Sequence, residues 1–123
     1  MLPAYATAVG KALLSLHPDE ELAQSLPERL QCPERGLDMS RAELLREVRQ
    51  TRLRRFAELD SRYLGVWAAG VAMRVTPDRE IGFALCFARE MIGTKKRRVV
   101  IQDLQNCARD VASICGDSTW QSK

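Results

Sequence analysis

Two stretches of the chain alternate between large apolar and small residues with a period of two. Trp67, Ala69, Val71, Met73 and Val75 are interleaved with Ala68, Gly70, Ala72 and Arg74. After Thr76-Pro77-Asp78-Arg79, which supplies turn residues, Ile81, Phe83, Leu85 and Phe87 alternate with Gly82, Ala84, Cys86 and Ala88. Successive side chains of a strand point to opposite faces, so the pattern predicts two strands joined by a turn. One face is large and oily; the other is paved with glycine, alanine and cysteine. The large face needs a cover, and the chain supplies one. Over residues 94–115, Val100, Leu104, Cys107, Ala108, Val111 and Cys115 recur at helical spacing as one stripe. Gly116 follows as a natural stop, and residues 117–123 read as a polar tail.

The first half of the chain reads as helical. Pro3 suits a first helical turn, and Ala4, Ala6, Ala8, Gly10 and Ala12 leave one side of a helix over residues 3–16 nearly bare. Pro18 opens a second helix whose first turn holds Asp19, Glu20 and Glu21, where the helix dipole favours acids. Pro27 should end it. Residues 31–39, with Cys32-Pro33 and Gly36, read as a loop. Ser40-Arg41-Ala42-Glu43 has the spacing of a capping box. It starts a third helix that runs to about Arg54, burying Ala42, Leu44, Leu45 and Val48 and leaving Arg41, Arg46, Arg49 and Arg52 in water. Residues 55–60 read as a short strand and 61–65 as a turn. The expected architecture is α/β, a mainly antiparallel sheet flanked by helices.

A chain of 123 residues can bury a core without staples, so one domain over residues 1–116 is expected, followed by the tail. The net charge of +3 does not point to nucleic acid. Neither basic run, Lys95-Lys96-Arg97-Arg98 or Arg52, Arg54 and Arg55, carries the interleaved aromatics of a single-strand binder. No apolar run approaches the ~20 residues that span a bilayer. The opening segment is not a signal peptide, since it lacks a basic start and carries Lys11 in its middle. A cytoplasmic protein with no membrane partner is expected. Cys32, Cys86, Cys107 and Cys115 show no Cys-x-x-Cys spacing, so they are expected as unpaired thiols, with no metal and no cofactor.

Catalytic candidates are few. His17 stands beside Pro18 at a helix junction, where capping or exposure explains it. Cys86 is the best nucleophile candidate, yet among glycine, alanine and phenylalanine it reads as a small hydrophobe. Glu58 and Asp60 share one side of their strand and could form a carboxylate pair, but solvated strand-end acids account for them equally. A small α/β enzyme using Cys86 or Glu58 and Asp60 is the alternative to a binding domain. The small sheet face itself allows two readings: close docking of the bare opening helix, or a ligand cavity between that helix and the sheet. Composition alone favours close docking.

The opening Leu2-Pro3-Ala4-Tyr5-Ala6-Thr7-Ala8-Val9-Gly10-Lys11-Ala12-Leu13-Leu14 resembles the Leu-Pro-x-His-Ala-Thr-Ala-x-Gly-Lys-Ala-Leu-Leu signature of IclR-type (isocitrate lyase regulator) transcription factors. Glu58-Leu59-Asp60-Ser61-Arg62-Tyr63-Leu64-Gly65 is similar to the acidic segment of that family's ligand domain. Val66-Trp67-Ala68-Ala69-Gly70-Val71 and Ala84-Leu85-Cys86-Phe87-Ala88 are similar to its two following strands. The resemblance implies a GAF-like α+β effector-binding domain of a bacterial regulator, noncatalytic, that senses a small molecule. Its pocket would use the backbone at Ala8 and Val9, the acidic position Glu58, the apolar Val66, and the side chains of Ala68, Cys86 and Ala88. The last three fall on the small face that alternation alone picks out.

The departures carry expectations too. The family often has Cys at the position of Ala68 and Ser at those of Cys86 and Ala88. Fewer hydrogen-bonding groups suit a more apolar or aromatic acid. Gly70 stands in place of a usual Pro, and Arg55 in place of a usual Gly. A winged helix-turn-helix and two or three strands precede the signature in the family but not in this sequence. DNA contact is therefore expected only through a domain absent from this chain. The sheet should leave an open edge, which invites pairing with another chain as a homodimer or tetramer.

Overall fold

The long alternating segments fold as their pattern predicts. The structure, a computed structural model, describes residues 4–115 and Trp120. Strands β3 (Ala57–Ser61), β4 (Val66–Thr76) and β5 (Arg79–Ala88) form one antiparallel sheet in the order β3-β4-β5. Ahead of them come helices α1 (Ala8–Leu14) and α2 (Asp19–Ser25), the hairpin β1 (Arg29–Cys32) and β2 (Leu37–Ser40), and helix α3 (Arg41–Arg54). Helix α4 (Thr94–Cys115) closes the fold. The capping box at Ser40 and Glu43 is present in both directions.

The expected single helix over residues 3–16 is broken. Ala4–Ala6 form a short 3₁₀ turn, and Thr7 is extended with φ −131°. The Thr7 hydroxyl oxygen accepts the Gly10 N–H at 2.9 Å and so caps α1. The break places the Ala4 carbonyl against Gly10, where a Cβ would lie 2.0 Å from its oxygen. Pro3 lies outside the described residues. The expected loop over 31–39 is corrected as well. Leu30 and Cys32 alternate inward as β1, and Gly36, at φ 64°, closes the turn back into β2. Leu30 joins Leu22, Leu44 and Val48 in a core of its own beneath α2 and α3. Ala42, assigned to the buried side of α3, is exposed, while Thr51 is buried.

The large sheet face meets α4 as expected. Trp67, Ala69, Val71 and Met73 pack with Ile92, Leu104, Ala108 and Ala112. Cys107, assigned to that stripe, is exposed, and Ala112 takes its place. The Cys115 side chain lies outside the described residues. Trp120 does not behave as part of a solvated tail: it is buried in the same core, and its indole N–H donates to the Ala72 carbonyl at 3.1 Å. Helix α4 covers β4 more than β5, so Leu85 and Phe87 remain exposed. The thiols of Cys32, Cys86 and Cys107 are free.

The junction of α1 and α2 is tied to α3 by charge. Arg49 and Arg52 both donate to the Asp19 carboxylate, and Arg52 also holds the carbonyls of Ser15 and His17. The Arg49 and Arg52 hydrogen bonds hold the Asp19 carboxyl below its usual value. A depressed folded pKa gives stability that is present above the unfolded value and lost as pH falls through the folded one. The thermal midpoint of the protein should therefore exceed that of Asp19→Asn by a constant amount above about pH 5, a gap that narrows as pH falls below the ordinary carboxylate value of about 4. A gap independent of pH down to pH 2 would contradict the role given to this carboxylate.

Candidate functional site

Parity along the strands brings most of the expected site residues to one place. In the register of β4 with β5, Val66 faces Ala88 and Ala68 faces Cys86. In the register of β3 with β4, Ser61 faces Val66 and Leu59 faces Ala68. Directly opposite residues share a face, so these six positions form two adjacent rows at one end of the small face. The next row is Ala57, Gly70 and Ala84.

From that row onward α1 lies directly on the sheet. A Cβ at Gly70 would sit 3.0 Å from the Ala8 carbonyl carbon and 3.0 Å from the Val9 nitrogen. A Cβ at Gly82 would sit 2.8 Å from Val9 Cγ2. Ala12 packs with Ala57 and Ala72. Over these rows the small face serves close docking and leaves no room for a ligand. Beyond them the character changes. Ala68 is buried and Val66 half-buried, while Cys86 and Ala88 are exposed. The open patch is thus bounded by the backbone of Ala8 and Val9 on one side and by the end of β5 on the other.

Glu58 does not join this group through its carboxylate. It pairs with Ala69, so its side chain lies on the large face, where Oε2 accepts the Trp67 indole N–H at 2.7 Å. Its backbone oxygen accepts a hydrogen bond from Lys11 Nζ at 2.8 Å. Lys11 is only 6% exposed, and its ammonium also reaches Glu47 Oε1 at 3.4 Å. Burying an ammonium is costly unless it is paired and hydrogen-bonded, so this contact fixes α1 to β3 and α3. In the sequence, a lone charge among the small residues of the opening helix is the signal for such an anchor.

The remaining chemistry is structural in character. Asp60 lies on the same side as Glu58 and is bound by Arg89 and Arg97. The Arg89 hydrogen bond, before the burial that opposes it, holds its carboxyl below the usual carboxylate value. Arg97 further donates to the Ile92 carbonyl and stacks 5.4 Å over the Trp67 ring, which accounts for one of the basic residues opening α4. His17 sits between Glu21 and Glu80, with its ring nitrogens 3.1 and 3.0 Å from their oxygens. Among the described residues, no group of three or more His, Cys, Asp or Glu could hold a metal ion. No helix among them is long and apolar enough to cross a membrane.

Comparison with known proteins gives one family. The family model described as the bacterial transcriptional regulator IclR C-terminal matches residues 1–113. Among solved structures, the chain is similar to the repressor BlcR of Agobacterium tumefaciens at 27% identity with a TM-score of 0.72. That match covers 94% of this chain and 48% of the repressor. The C-terminal domain of the Escherichia coli regulator KdgR has the same fold at 24% identity and a TM-score of 0.75, covering 93% of this chain and 71% of that one. The IclR of Thermotoga maritima matches at 21% identity with a TM-score of 0.73, over 92% of this chain and 47% of its own. The chain thus spans about half the length of full regulators of this kind. Among curated proteins, none matches the sequence.

Proposed function

Because the chain belongs to the IclR C-terminal family of bacterial transcriptional regulators, we propose that it is the effector-sensing part of such a regulator. A small organic acid binds at the open end of the small sheet face and biases how subunits are arranged. The family match over residues 1–113 carries this reading. The side-by-side placement of Ala68 with Cys86 and of Val66 with Ala88, one row from the Ala8–Val9 backbone, supports it. Alanine and cysteine offer an acid few polar partners, so the ligand that fits is fairly apolar or aromatic. Glu58 takes part by holding Lys11 through its carbonyl rather than by its carboxylate.

An effector acts only through its differential affinity for the two arrangements, so the domain needs no catalysis. DNA contact falls to other residues of the longer cytoplasmic regulator. Self-association has a physical basis in β5, an edge strand whose residues 84–88 are exposed on both faces. Such edges pair with further strands. Sedimentation of the chain over a wide concentration range should reveal dimers or tetramers; a monomer at every concentration would contradict that part of the reading.

The effector itself is tested by thermal unfolding across small carboxylic, keto and aromatic acids. Binding stabilises by RT ln(1 + [L]/Kd), so one class of acid should raise the midpoint selectively. Ala88 is exposed, so Ala88→Trp should leave the midpoint without ligand nearly unchanged and abolish the ligand-induced rise. An unchanged rise in Ala88→Trp would remove the site from this place.

A further inference from the structure

Strand β5 is an open edge of the three-stranded sheet, and among the described residues it pairs only with β4. Natural edge strands are blunted by charges, prolines, bulges or a covering element. Residues 81–88 carry no charge and no proline, and their pairing with β4 is regular throughout. Because α4 favours β4, Leu85 stays 44% and Phe87 36% exposed. Within residues 80–88, full exposure is confined to 84–88.

The edge presents its backbone groups in a fixed order. The Arg89 N–H donates to the Gly65 carbonyl at 2.8 Å, one step beyond the pairing of Val66 with Ala88. Hydrogen-bonded and non-hydrogen-bonded pairs alternate along an antiparallel ladder. Ala88, Cys86 and Ala84 therefore belong to non-hydrogen-bonded pairs with β4, and their N–H and C=O groups point out at the open edge. The exposed segment also matches itself when turned about Cys86. An antiparallel copy sets Ala84 opposite Ala88, Leu85 opposite Phe87 and Cys86 opposite itself, so small meets small and large meets large. Turning about Leu85 would bring Glu80 towards Glu90, and turning about Ala84 would bring Arg79 towards Arg89. Like charges set opposite each other oppose pairing.

We propose that β5 pairs antiparallel with β5 of a second copy of this chain, about a two-fold axis at Cys86. A contact of this kind closes on itself as a dimer, and the new ladder joins two three-stranded sheets into one. Ala84 of the partner subunit and Cys86 of the partner subunit then continue the small face beyond Ala88 and Cys86. For this last consequence the dimer rests on the effector reading: the partner supplies the wall that the open patch lacks on its β5 side. An uncharged strand suits this edge, whereas a charged one would set its charges against Leu85 and Phe87.

Sedimentation of the 123-residue chain, with and without diamide, tests the pairing. Opposed residues of a hydrogen-bonded pair have Cα atoms about 5.5 Å apart, within the span of a disulfide. Diamide takes up two electrons and two protons from a pair of thiols. It should produce a covalent dimer that Cys86→Ala abolishes and Cys107→Ala leaves. Without oxidant, Ala84→Pro should weaken the dimer about ten-fold or more, because proline removes an N–H that the dimer uses and β4 does not. Leu85→Lys places a charge at an exposed edge position and should weaken the dimer similarly; it decides the matter if the proline variant does not fold. A chain that is monomeric at every concentration overturns the proposal. So does a dimer that the folded variants leave equally tight, or one that diamide does not link through Cys86. None of these readouts involves an acid, so the dimer and the effector reading fail separately.

Discussion

Replacing Gly10 with alanine will destabilise the protein by about 2 kcal/mol or more, a fall in thermal midpoint of roughly 5–10 °C. Alanine is the better helix former by about 1 kcal/mol, so a helix position free of contacts would gain from the change. Gly10 is not free. A Cβ there would lie 2.0 Å from the Ala4 carbonyl oxygen and 2.6 Å from the Ala4 carbonyl carbon. The obstacle is backbone and cannot swing away, so the Ala4–Ala6 turn must lift off α1. Gly93 is the control, because a Cβ there meets nothing within 4 Å. Alanine at Gly93 should cost less than about 1 kcal/mol, the penalty of a poorer N-cap. Equal effects at the two glycines would contradict this packing of the opening segment.

Trp67→Ala is expected to cost about 3–5 kcal/mol. Trp67 is fully buried at the centre of the face that α4 covers, and its removal opens a cavity beneath that helix. It also strips Glu58 of its indole donor and Arg97 of its ring. Trp67→Phe separates these contributions. Phenylalanine keeps a ring for Arg97 and most of the packing but leaves Glu58 without the donor. That carboxylate is one-third exposed and can rehydrate, so the cost should fall to about 1–2 kcal/mol. Chemical denaturation of the two variants measures the difference directly. A cost for phenylalanine equal to that for alanine would mean that the hydrogen bond, not the buried volume, dominates.

The parts of the fold legible in the sequence were those with long periods. Alternation over residues 67–75 and 81–88 places β4 and β5, and a single stripe along residues 94–115 places α4. The hairpin of β1 and β2 was hidden because four-residue strands give two buried positions at most, and Pro33 and Gly36 dominate the reading. The break at Thr7 depends on a contact between Ala4 and Gly10, which no local propensity encodes. Parity within β4 and β5 was enough to put Ala68, Cys86 and Ala88 on one face. Parity within β3 could not place Glu58 relative to them, because its face depends on the pairing of Ala57 with Gly70. Trp120 was missed for a similar reason: one large aromatic in a short polar segment has no periodic neighbours to declare its partner.

We propose that a small acid binds where Ala68, Cys86 and Ala88 meet the start of α1. Backbone amide NMR of the chain, titrated with the acid that most raises its thermal midpoint, tests it directly. Saturable shifts should cluster at Ala8, Val9, Val66, Ala68, Cys86 and Ala88, with Gly93 and the outer face of α4 unmoved. Shifts confined to other parts of the molecule, or none from any acid, would contradict it.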